Sequence, residues 1–284
     1  MKYGLQFPAG TIGSDPTAIK DWARAAEALG YAHLTTFEHI VSVPPGTGER
    51  THRAEHHELL TLYAFLAGVT DRIGLLTAVL VLPLRQAVVV AKQAAEIDTL
   101  SKGRLRLGVS VGRVEREYDA TATDYHTRGK KFEEQIDLMR KLWTQEWVSY
   151  DGRFHKHGEI GIVPPPVQQP IPIWMGGASE PVLNRIGRIG DGWLSTKLDG
   201  AADAFQRIRQ AASDAGRDPN AVQMEGRLEV AGKTPEEWLE GVNDWSQAGA
   251  TLLTIRGDGN VPGDLDLAQR VKETLQQANL WTEN

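Results

Sequence analysis

A (β/α)8 (TIM) barrel is the fold this sequence predicts, and three observations predict it. Short β-rich runs alternate with amphipathic helical runs along the chain. Eight such pairs fit into the 284 residues. Several strand runs are continuously apolar, as strands covered on both faces must be. An open doubly wound sheet is the competing arrangement, but eight units in this length suit closure better.

Lys2 to Phe7 opens as the first strand. Asp15-Pro16 then supplies an N-cap followed by proline, Ile19, Trp22, Ala23, Ala26 and Leu29 mark one helical stripe, and Gly30 stops it. His33 to Phe37 is the second strand. From Ile40 to His57 there is no periodicity and a Pro44-Pro45-Gly46 run, which reads as a long loop. Helix Glu58–Val69, strand Ile73–Val79, helix Arg85–Leu100, strand Leu105–Ser110 and a helix from about Thr127 to Trp143 follow. There the rhythm breaks. Trp147 to Val163 alternates around Asp151-Gly152, a hairpin signal, and Pro164-Pro165-Pro166 leads out of it. This stretch, about 147–170, reads as a hairpin inserted on the rim of one domain spanning 1–284. Strands Ile171–Met175, Gly192–Thr196, Val222–Val230 and Thr251–Ile255 alternate with helices Glu180–Ile189, Ala201–Ala215, Pro235–Ala248 and Leu265–Ala278 to complete the count.

Composition narrows the function. A net charge of −6 argues against a nucleic-acid partner, whose phosphates demand a basic face. The absence of cysteine excludes disulfides, thiolate metal sites and a cysteine nucleophile. No apolar run is long enough to span a bilayer, and the N-terminal residues read as a strand, not as a leader. The expectation is a cytoplasmic protein with no membrane partner, acting on a small molecule.

In such a barrel the loops after the strands form the active face. His39 follows the second strand directly and has a side chain that titrates near working pH, which makes it the candidate catalytic acid or base; a solvated or packing histidine is the alternative. Glu38 beside it points the other way if the pleat continues, which suits a structural role, though it stays a candidate for substrate contact. Gly176-Gly177-Ala178-Ser179 ends a strand in a glycine pair and opens a helix, so backbone N–H groups could approach a phosphate there. An ordinary tight turn would look the same. Gly108-Val109-Ser110-Val111-Gly112 lacks dinucleotide-binding spacing. His52, His56 and His57, with Glu55 and Glu58, do not have zinc-protease spacing, so no metal is expected and the segment reads as a solvated lid. Leu138, Leu142, Trp143, Trp174 and Trp193 read as core.

Several stretches in order carry a resemblance: Phe37-Glu38-His39, Leu76 to Pro83, Ala91 to Leu105, Arg128-Gly129, Pro166 to Pro170, Ile173 to Gly177 and Gly190 to Trp193. Together they resemble the luciferase-like monooxygenase superfamily, and within it the branch that uses the deazaflavin F420. The resemblance implies a flavin-type ring in the barrel mouth against a bulge at Thr77, Ala78 and Val79, with a cis peptide at Ala78-Val79. It implies cofactor contacts from Ser110, Gly112, Gly176, Gly177, Ala178 and Ser179. His39 aligns with a histidine acting as acid or base in related dehydrogenases. The sugar-phosphate dehydrogenases of the branch carry a glutamate where Arg113 stands here, with Glu115 two residues on. That substrate is therefore doubtful, and Arg113 suits an anionic group on substrate or cofactor tail unless it is a solvated rim charge.

The expected activity is hydride transfer between C5 of F420 and an unsaturated or carbonyl-containing substrate. An FMN-dependent monooxygenase served by a reductase is the alternative, and a non-catalytic cofactor-binding protein a third. The resemblance also implies a homodimer.

Overall fold

The computed structural model describes residues 1–42, 56–259 and 261–282, without the side chains of 261–263. Its strands are β1 (Lys2–Gln6), β2 (His33–Thr36), β3 (Gly74–Thr77), β4 (Leu80–Val81), β5 (Leu105–Ser110), β6 (Val148–Asp151), β7 (Lys156–Ile160), β8 (Ile173–Gly176), β9 (Gly192–Leu194), β10 (Gln223–Glu229) and β11 (Leu252–Arg256). Eight of them pair in parallel in the cyclic order β1, β2, β3, β5, β8, β9, β10, β11 and back to β1. The β1–β11 pairing, Lys2 against Leu252 through Leu5 against Ile255, closes the ring and excludes the open sheet. β4 lies outside the ring on β5. β6 and β7 are an antiparallel hairpin, the expected rim insertion.

The helices are α1 (Pro16–Ala28), α2 (Leu59–Val69), α3 (Ala87–Leu100), α4 (Glu115–Ala120), α5 (Arg128–Thr144), α6 (Glu180–Ile189), α7 (Ala201–Asp214), α8 (Pro235–Gln247) and α9 (Val261–Gln277). Their ends follow local chemistry. Asp15 caps α1 by accepting from Thr17 N, and the helix buries Ile19, Trp22, Ala23 and Ala26 as one stripe. Thr234 and Glu237 form a reciprocal capping box on α8. α4, β4 and a 3-10 turn at Leu82–Leu84 were not expected from the sequence; each is six residues or fewer, too short for a periodic signal. Among the described residues no helix is long and apolar enough to cross a membrane.

The floor of the barrel, at the N-terminal ends of the strands, is held by polar clamps. Arg104 donates to the carbonyls of Ala67, Thr70, Ile73 and Ser101, closing the C-terminal end of α2. Buried Asp98 accepts from Gln168 N and Nε2 at 2.8 and 2.7 Å. Asp191 receives Ile173 N and Arg140 Nη2 at 2.8 and 2.7 Å. These bonds satisfy backbone groups that the strand and helix ends would otherwise leave orphaned.

The lumen is defined by contacts that cross it. His33 on β2 meets Glu225 on β10 at 3.0 Å, and those strands are separated by β1 and β11, so both side chains point inward. By alternation Arg227 and Glu229 do so too. Thr254 on β11 donates to Glu225, which likewise turns Arg256 inward. Leu76, Trp174, Leu194 and Leu252 form a buried apolar group, with Ala78 and Val79 packed against it.

Candidate active site

Parallel closure puts the C-terminal ends of β2, β3, β5 and β8 on one mouth, and with them His39, the 77–79 segment, Ser110 and the Gly176–Ser179 turn. His39 lies three residues beyond β2 and is 17 % exposed at its side chain, half in the wall. Its Nδ1 is 3.2 Å from Oε1 of Glu117, whose side chain is 2 % exposed. The same oxygen accepts Ile40 N at 3.0 Å. A buried carboxylate thus fixes the ring and the backbone after it. With Nδ1–H given to Glu117, exchange of a proton with a substrate falls to Nε2.

Glu117 was missed from the sequence, where Glu115 was singled out. Both lie on α4, but Glu115 is exposed and Glu117 buried beside Tyr118. The missed signal is helical spacing: with Val114 as N-cap, Glu117 and Tyr118 fall three and four residues on, on the inward face.

The 77–79 segment forms the bed of the mouth. The Ala78–Val79 peptide is cis, as the resemblance implied. Thr77 is fully buried, and its hydroxyl donates to Gly108 O and accepts from Gly108 N, both at 2.8 Å. That hydroxyl stitches β3 to β5 and is spent there. Ala78 and Val79 carry the half-exposed surface of the bed. A Cβ on Gly176 would sit 3.2 Å from Val79 Cγ1, so the glycine lets β8 close against the bed.

Glu38 turns into the wall. It is buried, with Arg85 Nη2 at 2.5 Å and Val81 N at 3.2 Å. Burial pushes its carboxyl above the usual range, while Arg85 and the Val81 amide pull against that. It therefore braces the segment after the bed and does not offer itself to a substrate anion. Glu38→Gln should cost about 3 kcal/mol of unfolding free energy, because among the described residues the Arg85 guanidinium then keeps one carboxylate, Glu58, at 2.9 Å. Urea denaturation checks this; a loss below about 1 kcal/mol would make the pair a surface one.

Beyond β8, Gly177 has φ +121°, and Gly177, Ala178 and Ser179 are exposed. Ser179 is the N-cap of α6 but makes no side-chain cap bond; Pro181 has no N–H and Val182 N is given to Ser179 O at 2.8 Å, so the Glu180 amide is the first-turn donor left for a ligand among the described residues. Trp193 Nε1 donates to Gly177 O at 2.8 Å and holds the turn from below. A phosphate-bearing cofactor fits these residues: a Cβ-free backbone approach at Gly176–Gly177, a hydroxyl not used for capping, and an apolar bed beside it.

Ser110 Oγ accepts from Gly112 N at 3.3 Å, and Gly112, at φ +65°, leaves no room for a Cβ beside Val81. These two shape the turn after β5. Arg113 is exposed on the rim, where its carbonyl accepts from the Tyr125 hydroxyl at 3.5 Å. It is not among the residues gathered around His39–Glu117. His52 and most of the expected lid lie outside the described residues. His56 packs against Phe37 and His39, with ring centroids 5.0 and 5.3 Å apart, and His57 Nε2 meets Gly13 O at 3.1 Å. No cluster that could hold a metal occurs among the described residues.

Asp264, beside the β11–α9 connection, is pushed up to about 6 by burial and by neighbouring Asp258, with the Gly259 amide pulling the other way. An acid raised in the fold is favoured protonated. Its stabilising contribution is full below about 4 and lost as pH rises through about 6. Wild-type Tm should fall relative to Asp264→Asn across that window in calorimetry; parallel curves would remove Asp264 as the cause.

The family model for luciferase-like monooxygenases matches residues 3–284, and the chain belongs to that family. An uncharacterized protein of Mycobacterium tuberculosis (strain ATCC 25618 / H37Rv) is 32 % identical over 223 residues, covering 73 % of this chain and 77 % of the relative. An F420-dependent glucose-6-phosphate dehydrogenase of Gordonia bronchialis is 28 % identical over 261 residues, covering 87 % and 74 %. Among solved structures, the monooxygenase RslO1 of Streptomyces bottropensis superposes with a TM-score of 0.83 at 20 % identity, over 98 % of this chain and all of the other. That likeness is one of fold.

Proposed function

We propose that the protein is an F420-dependent oxidoreductase that moves a hydride between the deazaflavin and a small organic substrate. The observation that carries this reading is the meeting, on one mouth, of a carboxylate-held histidine, a bed at Ala78–Val79 and a glycine turn able to take a phosphate. The F420-dependent name of the Gordonia relative supports the choice of cofactor. F420 supplies a ring carbon that accepts or donates hydride. Ala78 and Val79 would support one face of the ring, and Gly176, Gly177, Ala178 and Ser179 would hold its phosphate. His39 Nε2 would take the hydroxyl proton as the substrate carbon loses hydride, and return it to the carbonyl oxygen in the reverse direction. Glu117 would hold His39 in the tautomer and orientation this needs.

The competing reading is FMN-dependent oxygen chemistry, favoured by the monooxygenase family and by the fold likeness to RslO1. Titrating the protein with F420 and with FMN, followed by absorbance and fluorescence, separates the two. Saturable F420 binding with hydride turnover on a carbonyl panel is expected. FMN binding alone would give the competing reading, and binding of neither would end both.

Glu117 is a positioning residue in this scheme. Glu117→Gln should lower kcat about tenfold or more with KM little changed, and Glu117→Asp should restore part of the loss. An unchanged kcat in the glutamine variant would leave Glu117 a purely structural anchor for Ile40.

A further inference from the structure

Two guanidinium groups converge on one carboxylate at the mouth, where β10 and β11 end. Glu229 Oε1 lies 3.0 Å from Arg227 Nε and 3.0 Å from Arg256 Nη1. Glu229 and Arg256 are register partners at the ends of β10 and β11, and all three side chains face the lumen. The charges do not cancel. Deeper in the lumen, Glu225 is hydrogen-bonded with His33 at 3.0 Å, and its charge is offset by Arg106. Asp264 is turned onto Gly259 N and bonded to Asp258. The rim group therefore keeps one positive charge in excess. Its side chains are 31 % (Arg227), 42 % (Arg256) and 43 % (Glu229) exposed, open enough to meet a solute. Desolvation weakens the hold of Arg227 on its charge; Glu229 offsets this and Arg256 adds to it. An additional anion would relieve that repulsion.

We propose that Arg227 and Arg256 bind an oxyanion of the substrate, a carboxylate or a phosphate, at a distance from the carbon that exchanges hydride. Naming that substrate class rests on the proposed function. The geometry sets the size. Around the ring, the glycine turn on β8 is three strands from β2 and three from β11, while β11 and β2 are two strands apart. Arg256 is thus on the His39 side of the mouth, while Arg227, on β10, is three strands from β2 and two from the glycine turn. Two strand spacings are about 10 Å, so a substrate touching both His39 and Arg256 carries its anion several bonds from the reacting carbon. The two planar, multi-donor groups suit a carboxylate or phosphate better than a neutral carbonyl.

The test titrates the protein, with and without bound F420, with inorganic phosphate and with acetate by calorimetry. Wild type, Arg256→Met, Arg227→Met and Glu229→Gln are compared, with circular dichroism and Tm confirming that each is folded. Saturable phosphate or acetate binding is expected, weakened about tenfold or more in either methionine variant, since a charge-assisted bond of this kind is worth about that factor. Phosphate alone binding indicates a phosphate ester as substrate; acetate binding as well indicates a carboxylate. Glu229→Gln should tighten binding, because it removes the internal competitor. A purely structural ion cluster predicts the opposite, and equal or weaker binding in Glu229→Gln overturns the proposal. So does binding that ignores both arginines, absent binding in wild type, or an F420 affinity that falls in Arg256→Met, which would assign the arginines to the cofactor tail. If F420 fails to bind while arginine-dependent anion binding persists, the proposed function falls and the anion site stands.

Discussion

His39→Ala is expected to lower kcat by about a hundredfold or more while leaving the affinity for cofactor within a few-fold of wild type. The first half follows from the position of the ring. His39 is held by Glu117 at 3.2 Å, and its remaining nitrogen is the group proposed to exchange the substrate proton. Without it, water must serve as acid or base, from a less fixed position. The second half follows because the proposed cofactor contacts lie on β3 and β8, and His39 packs instead against Phe37 and His56. Glu117 keeps its bond from Ile40 N but loses its other partner while buried, so a loss in stability of about 1–3 kcal/mol should accompany the change. Single-turnover absorbance of the bound cofactor separates the chemical step from product release. Unchanged turnover would take His39 out of the chemistry and leave it a packing residue of the wall.

Much of the architecture was legible in the sequence because barrel strands buried on both faces write themselves as apolar runs. β2 and β9 are buried throughout, and both were located to within two residues. The ordered family motifs were legible too, but the structure shows why they say little about chemistry. Asp98 and Arg104 from the 91–105 stretch, Gln168 from 166–170 and Asp191 from 190–193 are clamps on the floor of the barrel. They fix strands and helix ends on the side opposite the mouth. The residues around the proposed reacting atoms lie on segments with weaker signals. Glu117 sits on a six-residue helix with no run of periodic residues. Arg227 looks, in sequence, like an ordinary alternating polar position of a strand. Only closure brings it together with Glu229 and Arg256, which stand at strand ends. Arg113, singled out by its departure from a family glutamate, is exposed on the rim.

The bed at Ala78–Val79 gives the second large expected effect, through a residue that would never touch the cofactor. Gly108 lies on β5, directly behind the end of β3. A Cβ there would fall inside the van der Waals envelope of the Thr77 carbonyl oxygen and crowd Leu194 Cδ1, at 2.9 Å. The Thr77 hydroxyl grips both backbone polar groups of the same glycine, so β3 and β5 cannot separate to make room without breaking two buried bonds. Gly108→Ala should therefore either displace the bed or cost about 3 kcal/mol or more in stability. The two outcomes are read separately, by cofactor titration and by urea denaturation. Displacement predicts F420 binding weakened about a hundredfold, with His39 and Glu117 untouched. Thr77→Val keeps the shape but deletes the grip, and should show a smaller loss of the same kind, about 2 kcal/mol shared between stability and binding. If Gly108→Ala is as stable as wild type and binds cofactor equally well, β3 and β5 are not locked together, and the bed cannot owe its position to this contact.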